Sequence, residues 1–238
     1  MKRMGTPTES KPRPILAVPR SKSEAKRFYD GISRVYDLLT AAFERKHAER
    51  ALGHLCIREG ESVLEIGFGS GHCLRRIATS VGRTGKVCGV DLSPGMLRVA
   101  RRRMGNEQAL DLVALCCGDA AQLPCRNGSF DVVFMAFTLE LFDSPQIPEV
   151  LYEVRRVLKP KGRFGVVSMS KENGGSVMVR LYEWVHQRWP KYADCRPIYV
   201  ERSLIDAGYR VQSKSMASMA GLPLETVVAK PQPEGNHC

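Results

Sequence analysis

One ten-residue run constrains the fold more than any other feature: Ser62-Val63-Leu64-Glu65-Ile66-Gly67-Phe68-Gly69-Ser70-Gly71. It is an apolar strand pattern that breaks into alternating glycines where a helical pattern begins. Glycines at such a break permit tight turning and let a ligand approach the backbone closely. From there on, short apolar runs alternate with longer amphipathic ones, which is how strand and helix units of a parallel sheet read. The pattern predicts strands near 62–67, 86–91, 112–117, 130–136 and 162–169, and helices at about 71–81, 94–104 and 146–158. A helix at 200–207 and two last strands near 209–216 and 223–229 complete the expected fold. That fold is α/β, with a seven-stranded, mostly parallel sheet and flanking helices.

Local chemistry marks the helix ends. Ser93-Pro94 and Ser144-Pro145 each offer a capping hydroxyl followed by proline near the first helical position, where a missing amide proton costs nothing. Gly82 and Gly105 follow apolar periodic runs and suit the left-handed residue that closes a helix. Before the first strand, Phe28, Ile32, Val35, Tyr36, Leu38 and Leu39 recur at helical intervals, so Ser23 to Leu52 reads as helical. Between Asn173 and Pro197 lies an inserted amphipathic helix pattern. With 238 residues and 43% hydrophobic content the chain is expected to form one core. The expected organisation is a disordered, basic, proline-rich leader (1–22), one domain (23–230) and a flexible end (231–238). Within the domain, cap helices occupy 23–55 and a substrate-side insertion 171–200.

Composition narrows the function classes. No apolar run approaches the roughly 20 residues of a membrane helix, so a cytoplasmic protein is expected. Pro7, Pro12, Pro14 and Pro19 would break the amphipathic helix of a transit peptide, although organellar import stays open. The eight cysteines lack paired spacing and the five histidines lack metal-ligand spacing, so neither a disulfide framework nor a metal is expected. The net charge of +11 is the unusual bulk property, and it raises nucleic acid or an anionic membrane surface as partners. Much of it crowds the leader, which is either a solvating tail or a contact for such a surface.

The glycine loop gains meaning from two carboxylates. Asp91 ends the second strand pattern about 20 residues beyond the loop, where a carboxylate grips both hydroxyls of a ribose. NAD would use the same arrangement, but a dinucleotide fingerprint wants G-x-G-x-x-G, and here the third glycine comes one residue early. Glu65 would repel a phosphate yet receive an ammonium, directly or through water. The pair fits S-adenosylmethionine (SAM), which carries a ribose and an ammonium but no phosphate.

At this point the run from Glu65 to Gly71 resembles motif I of the class I SAM-dependent methyltransferases, whose fold is Rossmann-like, and later stretches resemble the same family in order. Gly118-Asp119-Ala120 resembles its adenine-binding acidic position. Leu123-Pro124 and Ser129-Phe130-Asp131-Val132-Val133-Phe134 resemble its approach to the fourth strand. Arg155-Arg156-Val157-Leu158-Lys159-Pro160-Lys161-Gly162 resembles the turn before the fifth. The resemblance covers about 62–170 and implies that Glu65, Gly67, Gly69, Gly71, Asp91, Asp119, Ala120, Ala136 and Phe137 bind SAM. A shorter stretch, Phe28 to Asp37, is similar to the N-terminal helix of the ubiquinone/menaquinone C-methyltransferases, where that helix caps the cofactor. The segment from Asn173 to Tyr199 departs from the quinone enzymes' pattern.

Methyl transfer is an in-line displacement from a sulfonium, so alignment and water exclusion are the protein's main tasks. For an acidic carbon or a phenol a base assists, and Tyr36, Glu140 and His186 are the candidates. Each has a plainer reading, Glu140 as a solvated loop carboxylate and His186 as an exposed helix residue. His72 sits over the cofactor's carboxylate or simply begins a helix. Trp184, Trp189, Tyr192 and Tyr199 wall an apolar substrate pocket or only pack. After the fourth strand Phe137-Thr138-Leu139-Glu140 replaces the Asn/Asp-Pro-Pro-Tyr-like turn of enzymes that methylate base or glutamine nitrogens, which disfavours nucleic acid. A small or lipid-like acceptor, of quinone or phospholipid type, is therefore expected, with the leader facing an anionic membrane. An RNA or protein methyltransferase and an inactive SAM-binding scaffold are the alternatives.

Overall fold

The computed structural model describes residues 15, 21–32, 41–105, 112–172, 179, 184, 188 and 195–233. Seven strands form one sheet in the order β3-β2-β1-β4-β5-β7-β6. They are β1 (Ser62–Ile66), β2 (Lys86–Asp91), β3 (Val113–Cys117), β4 (Phe130–Ala136), β5 (Leu158–Met169), β6 (Tyr209–Met219) and β7 (Leu222–Pro231). The first five pair in parallel, while β7 runs antiparallel to both β5 and β6. Chain order steps outward from β1 to β3 and then returns to β4 on the other side of β1. This reversal opens a crevice beyond the carboxyl ends of β1 and β4, the place where ligands settle in such sheets.

The central strands read as continuous apolar runs because both faces are covered. Leu64, Val132, Val133 and Phe134 are fully buried, each contributing roughly 1.5–3 kcal/mol of transfer free energy. Helices α2 (Ala41–His54), α3 (His72–Val81) and α4 (Pro94–Met104) cover one side with Leu52, Leu74, Ile77 and Ala100. On the other side, α5 (Ile147–Val157) and α6 (Val200–Asp206) contribute Val150, Leu151, Val154 and Leu204. The end of α2 is fastened by Arg163 of β5, whose guanidinium donates to Leu55 O (2.6 Å), Cys56 O (3.0 Å) and both oxygens of Glu61 (2.8 Å each). Leu55 lies flat on Gly165, where any Cβ would come within 2.8 Å of it.

Several boundaries differ from the sequence expectation for identifiable reasons. The helical region before β1 is described as two helices, α1 (Lys22–Ile32) and α2, with residues 33–40 outside the description. Ser93 caps α4 as expected, its hydroxyl accepting from Met96 N at 3.1 Å, and Gly105 closes that helix in the left-handed region. Ser144 does not cap α5. Asp143 O instead accepts from Gln146 N and Ile147 N in a preceding turn, and the Ser144 hydroxyl accepts from Arg196 Nη1 at 3.2 Å. Strand β5 begins at Leu158 rather than 162, with the register slipping between Phe130 and Val132. Of the expected leader, Ile15 is described and packs on the α5 side of the core, while Ser21 and Lys22 are ordered at the start of α1 rather than belonging to a disordered tail; the rest lies outside the description.

Candidate functional site

The glycine loop after β1 is built from left-handed turns, with φ of +71° at Gly67, +51° at Gly69 and +84° at Gly71. At Gly67 a side chain is excluded outright, because a Cβ would lie 2.2 Å from Thr138 Oγ1. The loop is pinned to the end of β2. Gly67 N donates to Val90 O (2.8 Å), and Asp91 accepts from Gly69 N and Ser93 N (2.9 Å each), one on each carboxylate oxygen. Arg103 of α4 adds bonds to the Ser70 carbonyl (3.0 Å) and hydroxyl (2.8 Å). Asp91 thus performs the turn-capping role as well as facing the crevice, since each oxygen has a second lone pair to offer.

A cavity of about 450 Å³ lies over this loop, within the range of small-molecule sites. Gly67, Asp91, Asp119, Ala120, Ala136 and Phe137 line it, together with Ile66, Val90 and Met96. Glu65, next to the lining residue Ile66, is buried and is not itself among the lining residues, and its Oε2 has no hydrogen-bond partner among the described residues. Burial, and next the charge of Asp91, push the Glu65 carboxyl well above the usual carboxylate range. Burial also raises Asp91, to about 6, despite its two backbone donors. Two carboxyls held this way attract a cation, which would restore their charged forms.

The first helix roofs the cavity with Lys22, Ala25 and Tyr29, joined by Ser21 just before it. Lys22 Nζ meets Asp119 Oδ2 at 2.5 Å, while Asp119 Oδ1 accepts from Ala121 N at 3.0 Å. At the other end of α1, Asp30 Oδ1 accepts from Ser93 Oγ (2.6 Å) and Gly95 N (2.7 Å), capping α4 from outside. Burial works against that carboxylate, but these two bonds hold it below its ordinary range. Neither Lys22 nor Asp30 is visible as a site residue in the sequence, because their partners are 97 and 63 residues away.

Beyond β4, Phe137 carries a left-handed φ of +51°, unusual for a residue with a side chain, and its amide donates to Val167 O at 2.9 Å. Leu141, Phe142, Asp143, Pro145 and Gln146 extend the cavity wall from there. Glu140 is not solvated. The short 3-10 turn Leu139–Leu141 aims it inward, where it is fully buried, accepts from Met169 N at 3.3 Å and lies outside the cavity lining. Burial raises its pKa to about 8, which favours the neutral form at pH 7. Tyr36 and His186 lie outside the described residues, as do Trp189 and Tyr192. Trp184 is exposed, and His72 Nε2 meets Arg45 Nη2 at 2.7 Å.

Residues 63–162 match the family model described as "Methyltransferase domain". The chain is 31% identical over 220 residues to the demethylmenaquinone methyltransferase of Symbiobacterium thermophilum, covering 85% of this chain and 86% of that protein. It is 32% identical over 192 residues to the ubiquinone/menaquinone biosynthesis C-methyltransferase UbiE of Burkholderia vietnamiensis, covering 78% and 77%. Among solved structures, the magnesium protoporphyrin IX methyltransferase of Synechocystis, determined with bound SAH, superposes with a TM-score of 0.69 at 14% identity. That alignment covers 89% of this chain and 100% of the other and speaks for the fold alone.

Proposed function

This chain belongs to the class I SAM-dependent methyltransferases, and on that premise we propose that it methylates a ring carbon of a quinone-type, lipid-like acceptor. The observation that carries the cofactor assignment is the buried Glu65 carboxyl with an unmatched oxygen, close enough to Asp91 at the end of β2 to feel its charge, beside the glycine loop. Its neighbours in sequence act on quinones by name, and the wall beyond Phe137 suits such a ring. Leu141, Phe142 and Pro145 make it apolar, and Asp143 and Gln146 supply polar groups for ring oxygens.

In this reading Glu65 receives the methionine ammonium, Asp91 holds the ribose diol and Asp119 the adenine amine. Ala120, Ala136 and Phe137 shape the walls around them. Bound there, SAM supplies an electrophilic methyl on a sulfonium leaving group. The chain's own task is to hold an acceptor carbon in line and keep water away, which α1 serves by closing the roof. Asp143 is the described carboxylate on the acceptor side, placed to take a hydroxyl proton. Tyr36 and His186 remain candidates for that step, and Glu140 is a candidate only where it has ionised, since a neutral carboxyl accepts no proton.

Proton linkage gives one test. Because Asp91 and Glu65 are raised by burial, a cationic ligand must drive off their protons. SAM affinity is expected to climb with pH below about 6, by up to about tenfold per pH unit for each proton released. Glu65→Gln removes a charge-assisted contact worth roughly 1.5–3 kcal/mol, about tenfold to a hundredfold in affinity at pH 7.5, and flattens the pH dependence. Calorimetric titrations between pH 5 and 8 check both. For the acceptor, purified protein with labelled SAM and a reduced naphthoquinone lacking the ring methyl is expected to yield label on the ring carbon. Label appearing in RNA or protein fractions instead, with none on the quinol, would overturn the acceptor reading. Binding without any transfer would favour a scaffold.

A further inference from the structure

The two sides of the sheet carry very different charge. On one side, α2, α3 and α4 hold nine arginines and lysines against only Glu44 and Glu49. On the other, α5 and α6 hold three arginines against four acidic residues. Each helix of the basic side contributes exposed cations, with Lys46 and Arg50 on α2, Arg75 and Arg76 on α3, and Arg98 and Arg102 on α4. One member is locally neutralised, since Arg76 Nη1 meets Glu49 at 3.5 Å. The layer reaches the rim of the cofactor crevice, where Arg45 touches His72 immediately after Gly71.

We propose that this helical face docks the protein on an anionic membrane surface, with the arginines taking phospholipid phosphates. Three helices side by side on a sheet present a broad face that a bilayer can meet at many points. Arginine predominates over lysine there, and a guanidinium engages phosphate oxygens through two parallel bonds. Neither α3 nor α4 contains a phenylalanine, tyrosine or tryptophan, so these two helices offer few of the stacking platforms that single-stranded nucleic acid uses. Among the described residues no helix is long and apolar enough to cross a membrane, so access to a lipid would come from a surface contact. The choice of membrane over nucleic acid rests in part on the lipid-like acceptor proposed above. The charge layer itself does not.

The test is sedimentation of the full chain with phosphatidylcholine vesicles, with and without phosphatidylglycerol, over a salt series. Wild-type protein is expected to bind only the anionic vesicles and to release at high salt. With about 1 kcal/mol per cation near the surface, the combined Lys46→Glu, Arg75→Glu, Arg98→Glu and Arg102→Glu variant should bind at least a hundredfold more weakly. An intact thermal transition and unchanged SAM affinity identify that variant as folded, and the same four positions changed to glutamine give a gentler second variant with a smaller loss. Vesicle binding that survives in both variants would overturn the proposal, as would loss only on neutralising the basic residues of 1–14. Tighter, face-dependent binding of polyuridylate than of vesicles would reassign the face to nucleic acid. Vesicle binding is measured without any acceptor, so failure of the quinol assay and failure of docking are read separately.

Discussion

Replacing Gly67 by alanine is expected to weaken SAM binding by more than a hundredfold and to destabilise the fold by roughly 2–6 kcal/mol. Two costs combine. A left-handed residue with a side chain costs of order 1–3 kcal/mol, and overpacking costs about 1–3 kcal/mol more. The new Cβ would sit 2.2 Å from Thr138 Oγ1 and 2.5 Å from its Cγ2. Thr138 cannot simply turn away, because its hydroxyl is engaged with Ala136 O at 2.9 Å. Thr138→Ala in the same chain removes the two nearest atoms but leaves the Cβ contact of 2.9 Å and the strained φ, so it should restore only part of the loss. Thermal denaturation and calorimetry of the single and double variants check this. Wild-type affinity in Gly67→Ala would show that the loop does not carry the ligand.

The second large effect concerns Glu140. Its carboxyl is raised from 4.5 to about 8 by burial, so the folded protein holds a proton that the unfolded chain has already released. The stability from this group is fully present below pH 4.5 and is lost as pH rises through 8. Between pH 5.5 and 9 the loss is about 3 kcal/mol. Glutamine reproduces the shape of the neutral acid and cannot ionise. The Tm advantage of Glu140→Gln over wild type should therefore widen between pH 5.5 and pH 9, by roughly 6–12 °C for a chain of this size. Glu65 and Asp91 titrate alike in both proteins, so the difference isolates Glu140. Parallel Tm profiles for the two proteins would contradict the assignment.

The parts of the site legible in the sequence are those set by strand ends. Glu65, Gly67 and Asp91 fall where β1 and β2 finish, and a parallel sheet brings consecutive strand ends together whatever the loops do. Asp119 follows β3 in the same way. What stayed hidden depends on the rotation and docking of helices. The pairing of Lys22 with Asp119 and of Asp30 with Ser93 requires α1 to lie across the crevice, which helical periodicity alone does not specify. Thr138 is similar, since nothing local reveals that it closes on Gly67. Glu140 misled for a related reason. A charged residue in a connecting segment usually faces water, yet here a single 3-10 turn buries it between Leu139 and the end of β5. Ser144 failed as a cap because α5 begins at Ile147, which puts Gln146 at the capping position, and the Ser144 hydroxyl accepts from Arg196 instead.

Calorimetric titration of SAM into wild type and Asp91→Ala tests the central claim most directly. Tight binding by wild type is predicted, with a tenfold to hundredfold loss on removing a carboxylate that grips the ribose hydroxyls. Equal affinities in the two proteins, or heat from NAD where SAM gives none, would contradict it.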